Sequence, residues 1–132
     1  MTVKSFKQFL AEGYTAYVLD QISRHKLIEK FPPKFSKFIG HHITVNFGVS
    51  QDAGLPPQAD IAVVGYAVEQ GLEALVVTVN GEAARADGST YHITWSLEPA
   101  LGKRPVDSNA LVQKGFTDVP PVKIQAYPEF CR

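Results

Sequence analysis

The triplet His-Ile-Thr occurs twice in this chain of 132 residues, from His42 to Thr44 and from His92 to Thr94. A histidine can remove or supply a proton near neutral pH, and a threonine hydroxyl can donate a hydrogen bond to a negatively charged oxygen. Two such pairs in one site would provide a general base, a general acid and two hydroxyl donors. That set of groups can cleave a phosphodiester without a metal.

Each triplet opens a run in which polar and apolar residues alternate, HITVNF and HITWSL. Because successive side chains of a strand point to opposite faces, each run predicts a half-buried antiparallel strand. The predicted polar faces hold His42, Thr44, Asn46, His92, Thr94 and Ser96, and the predicted apolar faces hold Ile43, Val45, Phe47, Ile93, Trp95 and Leu97. If the two strands meet across a groove, both histidines and both threonines come to one centre.

Composition limits the kind of protein to which such a centre belongs. Hydrophobic residues make up 45% of the chain and charged residues 20%, which is typical of a folded domain rather than a disordered one. The net charge is zero, which argues against binding to duplex DNA. A lone cysteine, Cys131, favours a reducing compartment, and no apolar run reaches membrane-spanning length. We therefore expect a cytoplasmic protein with no membrane partner.

The remaining pattern predicts an α+β fold with mostly antiparallel strands and two or three short helices. Residues 14–132 are predicted to form one domain of six or seven strands, preceded by an amphipathic helix or packaging peptide over 1–13. A second helix is expected over 20–31, capped by Asp20 and ended by Pro32-Pro33. Residues 60–81 read as a hairpin, a short helix begins at Asp107 or Ser108, and the last strand covers 122–127.

Paired His-x-Thr triplets on apolar strands, in a small α+β domain, resemble the two-histidine (2H) phosphoesterase superfamily. This superfamily includes RNA 2′,3′-cyclic phosphodiesterases, RNA-ligase-like proteins and phage nucleases that destroy cyclic-oligonucleotide signals. The resemblance covers most of the chain from Tyr14 onward and implies a compact bilobal fold. It also implies that His42 and His92 act as general base and acid, while Thr44 and Thr94 bind phosphate. The triplets are only 50 residues apart, which is closer than in larger members, so the substrate pocket is the least transferable part.

Six further residues are candidates for substrate binding. Aromatic rings near predicted loops could stack on a nucleobase, basic side chains could hold a phosphate, and polar side chains near position 108 could reach the same phosphate. The ordinary alternatives are a solvated turn for the basic side chains and a helix cap for the polar ones. These candidates are Tyr14, Phe35, Lys103, Arg104, Ser108 and Asn109.

The other histidines are assigned no chemical role. His41 is predicted to be buried on the apolar face beside Ile43, and His25 is predicted to be solvated on a helix. A zinc site made of His41, His42 and His92 is an alternative. Adjacent side chains on a strand point apart, however, and neither a cysteine nor a cluster of carboxylates supplies further ligands. We therefore expect no metal and no cofactor.

The N-terminal stretch KSFKQFLAE resembles the packaging peptides of internal head proteins of large tailed phages, which a head protease cuts after a glutamate. Leu10-Ala11-Glu12 matches the Leu-x-Glu setting of such a cut, and an ordinary amphipathic helix explains the same spacing. The resemblance implies a protein that is packaged in the virion and enters the host cell, where an enzyme against a nucleotide defence signal would be useful.

Three functional hypotheses follow. The first is a metal-independent 2H phosphodiesterase, a hydrolase acting on a cyclic oligonucleotide or on a 2′,3′-cyclic phosphate at an RNA end. The second is a non-catalytic module that binds a nucleotide or RNA end. The third is a packaged phage protein with a structural or host-interaction role. The sequence leaves open which histidine is the acid, whether residues 1–12 are removed, and the oligomeric state.

Overall fold

The computed structural model describes residues 12–132, which form one eight-stranded sheet and two α-helices. The helices are α1 (Gln21–Lys30) and α2 (Ser108–Gln113), and 3-10 turns lie at Gln51–Ala53, Pro99–Leu101 and Pro105–Asp107. The strands are β1 (Glu12–Leu19), β2 (Lys37–Phe38), β3 (His42–Ser50), β4 (Ile61–Glu69), β5 (Leu72–Val79), β6 (His92–Leu97), β7 (Thr117–Ile124) and β8 (Ala126–Cys131).

The strands are ordered β7-β4-β5-β6-β3-β1-β8, with β2 paired to β6 beside β3. Every pairing between these strands is antiparallel. The predicted α+β class with an antiparallel sheet is therefore confirmed. The two triplet strands, β3 and β6, are neighbours in the middle of the sheet.

Helix α1 has the predicted signals at both ends. The Asp20 carboxylate accepts a hydrogen bond from the backbone N–H of Ser23 at 2.7 Å, which satisfies a donor that has no partner within the helix. The helix ends at Lys30, and the following Pro32-Pro33 pair has no backbone N–H with which to continue it. Leu27, on the helix face toward the sheet, is fully buried in the core.

Apolar side chains pack on both faces of the sheet, and β5 contributes to both. Leu75 and Val77 belong to the larger cluster with Leu27 of α1. Ala74 and Val76 point the other way and pack with α2. Because successive side chains of a strand alternate, one fully buried strand can join two cores. The sheet is thus fixed on both sides close to β6 and its histidine.

Two β-bulges overturn part of the predicted alternation. In the β1–β3 ladder Ala16 pairs with Thr44 and Thr15 with Asn46, so Val45 is an extra residue. As a result Phe47 lies in the same pocket as Thr44, although it was predicted on the core face. Alternation is therefore valid for this strand only as far as Val45.

The second bulge lies in β6. Ala74 pairs with Thr94 and Glu73 with Ser96, which makes Trp95 the extra residue. Ser96, predicted on the polar face beside His92, instead donates a hydrogen bond to the buried carboxylate of Glu73 at 2.5 Å. The same displacement moves Leu97, predicted on the face of Trp95, into the cluster around α2.

The last predicted strand is divided in two, which contributes to a total of eight strands rather than six or seven. The backbone N–H of Gln125 donates to Ser23 Oγ at 2.7 Å, and its carbonyl accepts from the N–H of Asp20 at 3.1 Å. The backbone of Gln125 is therefore bonded to the start of α1. The strands on either side of it, β7 and β8, pair with β4 and β1 at opposite edges of a curled sheet.

The helix and packaging peptide predicted at the N-terminus lie outside the described residues, except that Glu12 belongs to β1 rather than to a helix. Within residues 12–132, no helix is long and apolar enough to cross a membrane.

Candidate functional site

Both triplets line one pocket of about 210 Å³ between the middle of the sheet and the start of α2. His42 and Thr44 enter it from β3, and His92 and Thr94 enter it from β6. Antiparallel pairing of the two strands is the reason for this meeting. The central isoleucines, Ile43 and Ile93, pair with each other and are fully buried. The flanking polar residues of both triplets therefore project from the opposite face.

The pairing also relates the two triplets by an approximate two-fold axis. A two-fold axis through the Ile43–Ile93 pair exchanges His42 with His92 and Thr44 with Thr94, because the strands run in opposite directions. The histidine of each triplet therefore lies at the same end of the strand pair as the threonine of the other triplet. This symmetry belongs to the backbone, whereas the surroundings of the two imidazoles differ.

His92 is held in a defined tautomer. Its Nδ1 lies 2.7 Å from the carbonyl oxygen of Thr90, and since a carbonyl can only accept, Nδ1 carries a proton. The Nε2 atom lies 3.0 Å from the hydroxyl of Ser108. Burial lowers the pKa of His92, the bond to Thr90 opposes that shift, and the nearby Arg85 guanidinium adds to it. At neutral pH, Nε2 of the free protein is therefore mainly a proton acceptor.

Ser108 connects His92 to the second hydroxyl of the pocket. Its Oγ is fully buried and lies 2.7 Å from Thr94 Oγ1 and 2.7 Å from the carbonyl oxygen of Pro105. When His92 is neutral, Ser108 can donate to Nε2. When His92 is protonated, Ser108 can accept from Nε2 and from Thr94 while donating to Pro105. The same atoms thus satisfy both protonation states of His92.

His42 has a different environment. Its Nδ1 lies 3.0 Å from Nδ1 of His41, and its ring is 5.0 Å from that of Tyr14. Burial, the adjacent His41 and the facing His92 together lower the pKa of His42 to about 4. The prediction that His41 is buried was wrong, because His41 precedes the strand and follows Gly40, whose positive φ of 46° interrupts the alternation.

Arg85 is a pocket residue that the sequence analysis did not identify. It lies in the turn between β5 and β6, and its guanidinium is almost fully buried. The Nε atom donates to the Asp87 carboxylate at 3.1 Å, and Nη1 lies 3.5 Å from the carbonyl oxygen of Thr44. Arg85 also lines the pocket, so a permanent cation lies beside the imidazoles and hydroxyls. Nothing in the local sequence signals this, because the residue reaches Thr44 across 41 positions of the chain.

Of the six proposed substrate-binding residues, Tyr14, Ser108 and Asn109 line the pocket. Asn109 also donates from Nδ2 to the carbonyl oxygen of Val106 at 2.9 Å. Its Oδ1 atom is buried and has no hydrogen-bond partner among residues 12–132.

The other three candidates lie elsewhere. The backbone N–H of Phe35 is bonded to Ser96, which the β6 bulge has turned away from the pocket. The Lys103 ammonium forms an ion pair with Glu69 at 3.2 Å, and the Arg104 side chain is 74% exposed. None of the three lines the pocket. Lys103 and Arg104 directly precede Pro105 and Val106, which do line the pocket, so their loop reaches it while these two side chains do not.

Among residues 12–132, no three histidine, cysteine, aspartate or glutamate side chains lie close enough together to hold a metal ion. The proposed trio of His41, His42 and His92 is therefore not assembled as a ligand set.

Comparison of the chain with protein-family models, curated proteins and solved structures finds no match. The geometry and chemistry of the pocket are thus the basis for a functional assignment.

Proposed function

We propose that this chain is a metal-independent phosphodiesterase that opens a cyclic phosphodiester in a nucleotide or at an RNA end. The observation that carries the proposal is that two His-Thr pairs and a buried arginine line one pocket. Cleavage of a phosphodiester needs a general base, a general acid and donors that stabilise the non-bridging oxygens, and this set of side chains can supply all three.

The different environments of the histidines support a different role for each in the proposed reaction. With a pKa of about 4, His42 is neutral at pH 7 and is suited to be the general base. Its Nδ1 faces His41, which leaves Nε2 to take the proton from the attacking nucleophile. His92 is the general acid, since the Thr90 carbonyl supports its protonated form and Ser108 accommodates either state.

In the proposed reaction, His42 removes a proton from water as the water oxygen forms a bond to phosphorus. The bond between phosphorus and the ribose 2′- or 3′-oxygen breaks, and its electron pair stays on that oxygen, which takes a proton from His92. The product is a phosphomonoester, and the two histidines have exchanged protonation states. The rate should fall in acid as His42 becomes protonated and in alkali as His92 loses its proton.

Arg85 and the two threonines would stabilise the negative charge that develops on the non-bridging oxygens of the phosphate. A guanidinium forms the strongest type of hydrogen bond to phosphate oxygens. The hydroxyls of Thr44 and Thr94 add neutral donors from the two ends of the pocket. Because Arg85 is buried and already fixed by Asp87, it would be positioned before the substrate binds.

A binding module is the second candidate, and the protonation of the pocket favours it. The pKa values of both histidines are lowered, so at neutral pH neither imidazole of the free protein is mainly in the protonated form that a general acid needs. Arg85 and the hydroxyls could then hold a phosphate without cleaving it. The third hypothesis, a packaged phage protein with a structural or host-interaction role, gives the pocket no ligand.

The test is incubation of the purified protein, in EDTA, with cyclic dinucleotides and trinucleotides, 2′,3′-cyclic mononucleotides and an RNA ending in a 2′,3′-cyclic phosphate. Products are identified by mass. His42→Ala and His92→Ala should each lower kcat by a factor of about 10²–10⁴. The matched control is His25→Ala, which removes an exposed histidine from α1 and should leave kcat unchanged.

Turnover that survives chelation and is lost in both pocket variants supports the phosphodiesterase. Nucleotide binding without turnover, with the variants folded by circular dichroism, would move the protein to the binding module. If the wild type neither cleaves nor binds any member of the panel, both assignments are wrong.

A further inference from the structure

Phe47 is an aromatic residue that lines the pocket while remaining 56% exposed. A single exposed apolar side chain is common on protein surfaces, and what distinguishes Phe47 is that its exposed ring lines this pocket. The β-bulge at Val45 places the ring there, because Phe47 pairs with Tyr14 across the ladder, whereas unbroken alternation from Thr44 through Val45 would turn Phe47 toward the core. The backbone of β3 thus presents an aromatic face at the pocket mouth.

The ring is also supported by its neighbours. The Arg85 guanidinium carbon lies 5.2 Å from the centroid of Phe47, in a cation–π contact. The Tyr14 ring lies 6.0 Å from Phe47 and 5.0 Å from His42. A continuous row of rings therefore leads from the mouth to a histidine of the centre, and its outermost member is in contact with the buried cation.

The size and lining of the pocket indicate what the mouth accommodates. Its volume of about 210 Å³ is below the range of roughly 300–1,000 Å³ that small-molecule sites usually have. The imidazoles, hydroxyls and guanidinium that line it suit a phosphate with its sugar, and a flat ring attached to that sugar would remain at the mouth. Val106 also lines the pocket and is 56% exposed, so the mouth presents a second apolar side chain.

We propose that Phe47 is a stacking platform for the nucleobase of a nucleotide whose phosphate contacts Arg85, His42 and His92. This inference rests on the proposed function for the position of the phosphate, and it adds the substrate class. The ligand is a nucleotide whose base is recognised by stacking rather than by hydrogen bonds to its edge. Every base has a π face, so purines and pyrimidines should bind similarly.

The test is a calorimetric measurement of binding, so it does not depend on turnover. The probes are adenosine 3′-monophosphate, uridine 3′-monophosphate and inorganic phosphate. The wild type should bind both nucleotides more tightly than phosphate. Phe47→Ala should weaken nucleotide binding between about 5-fold and about 150-fold and leave phosphate binding unchanged.

Two variants serve as controls. Phe116→Ala removes the same atoms from another exposed aromatic residue that does not line the pocket, and it should bind the nucleotides like the wild type. Phe47→Trp should keep nucleotide affinity and provide a reporter at the mouth. The only natural tryptophan, Trp95, is buried, with its Nε1 donating to the Phe31 carbonyl, so quenching of the added indole would report the stacked base.

An unchanged nucleotide affinity in Phe47→Ala would overturn the platform, and so would any of three other results. One is equal affinity of the wild type for phosphate and nucleotides, a second is no nucleotide binding at all, and a third is a matching loss of phosphate binding in Phe47→Ala. The third would mean that Phe47 only supports Arg85. If the protein binds nucleotides in the expected pattern but cleaves none, the stacking proposal stands and the phosphodiesterase proposal is wrong. If it cleaves a nucleotide but Phe47→Ala binds nucleotides like the wild type, the stacking proposal is wrong and the phosphodiesterase proposal stands.

Discussion

The Nδ1 atoms of His41 and His42 lie 3.0 Å apart. For this contact to be a hydrogen bond, one ring must supply a proton and the other a lone pair. Two imidazolium rings would both present N–H groups and like charges, so the pair resists double protonation. The contact therefore joins burial and His92 in holding the pKa of His42 down to about 4.

This depressed pKa predicts a stability that depends on pH. The unfolded chain, with the ordinary pKa of 6.5, binds a proton that folded His42 does not bind until about pH 4. The contribution of His42 to stability is thus fully present above pH 6.5 and is lost as the pH falls toward 4. At 1.36 kcal/mol for each pKa unit, the loss between pH 7 and pH 4 is about 3 kcal/mol.

The measurement is the free energy of unfolding by urea at several pH values, compared between the wild type and His42→Asn. The variant cannot titrate at this position, so its curve should lack that part of the acid slope. Parallel curves for the two proteins would show that His42 titrates normally in the folded state. In His41→Ala, an NMR titration should give a pKa for His42 above that of the wild type.

Ser108→Ala should impair the general acid. Loss of the hydroxyl removes the contact to Nε2 of His92 and the 2.7 Å hydrogen bond to the Thr94 hydroxyl. We expect a fall in the free energy of unfolding of about 1–3 kcal/mol, the usual cost of unpaired buried polar groups. We also expect the alkaline limb of the pH–rate profile to move. A variant with lower stability and an unchanged profile would give Ser108 a purely structural role.

Arg85→Gln should weaken phosphate binding by about 10-fold to 150-fold, since hydrogen bonds to charged groups contribute about 1.5–3 kcal/mol. The same change removes a cation that lowers the pKa of His92, so the alkaline limb of the pH–rate profile should shift to higher pH. Calorimetry with inorganic phosphate and a pH series of kcat/KM check the two effects. Arg85→Lys retains the charge, and it should preserve the His92 limb better than it preserves phosphate affinity.

Glu73→Gln should lower stability without affecting the pocket. The buried carboxylate accepts hydrogen bonds from the backbone N–H of Lys34 at 2.7 Å, from Ser96 at 2.5 Å and from the Tyr66 hydroxyl. An amide group offers only one acceptor atom, so at least one buried donor loses its partner, at a cost of about 1–3 kcal/mol.

The matched control for this prediction is Glu69→Gln, which breaks a partly exposed ion pair with Lys103. Its effect on the free energy of unfolding should be below about 1 kcal/mol. Thermal and urea unfolding measure both variants. Equal effects would mean that the carboxylate of Glu73 is not needed to hold the loop before β2.

The meeting of the four triplet residues could be predicted because it depends on one buried isoleucine and its immediate neighbours in each strand. Beyond Val45 and Trp95 the prediction was wrong, because each bulge is set by pairing with a distant strand and leaves no mark in the residue pattern. Arg85 could not be predicted, because its place beside Thr44 follows from the fold. The capped helix α1 was predictable because Asp20 and the two prolines act locally.

Because Val45 is an extra residue without a partner in β1, the side chains that line part of this pocket depend on the number of residues in the paired strands as well as on residue identity. Inserting one residue in β1 between Thr15 and Ala16 would give Val45 a partner and restore the regular pleat, which would exchange the orientations of the side chains from Asn46 to the next irregularity at Gly48. An exposed ring would be driven into the interior and a polar asparagine into the pocket, with no residue replaced. Among natural variants of this chain, a one-residue insertion at this point of β1 would thus change the ligand surface more than many substitutions.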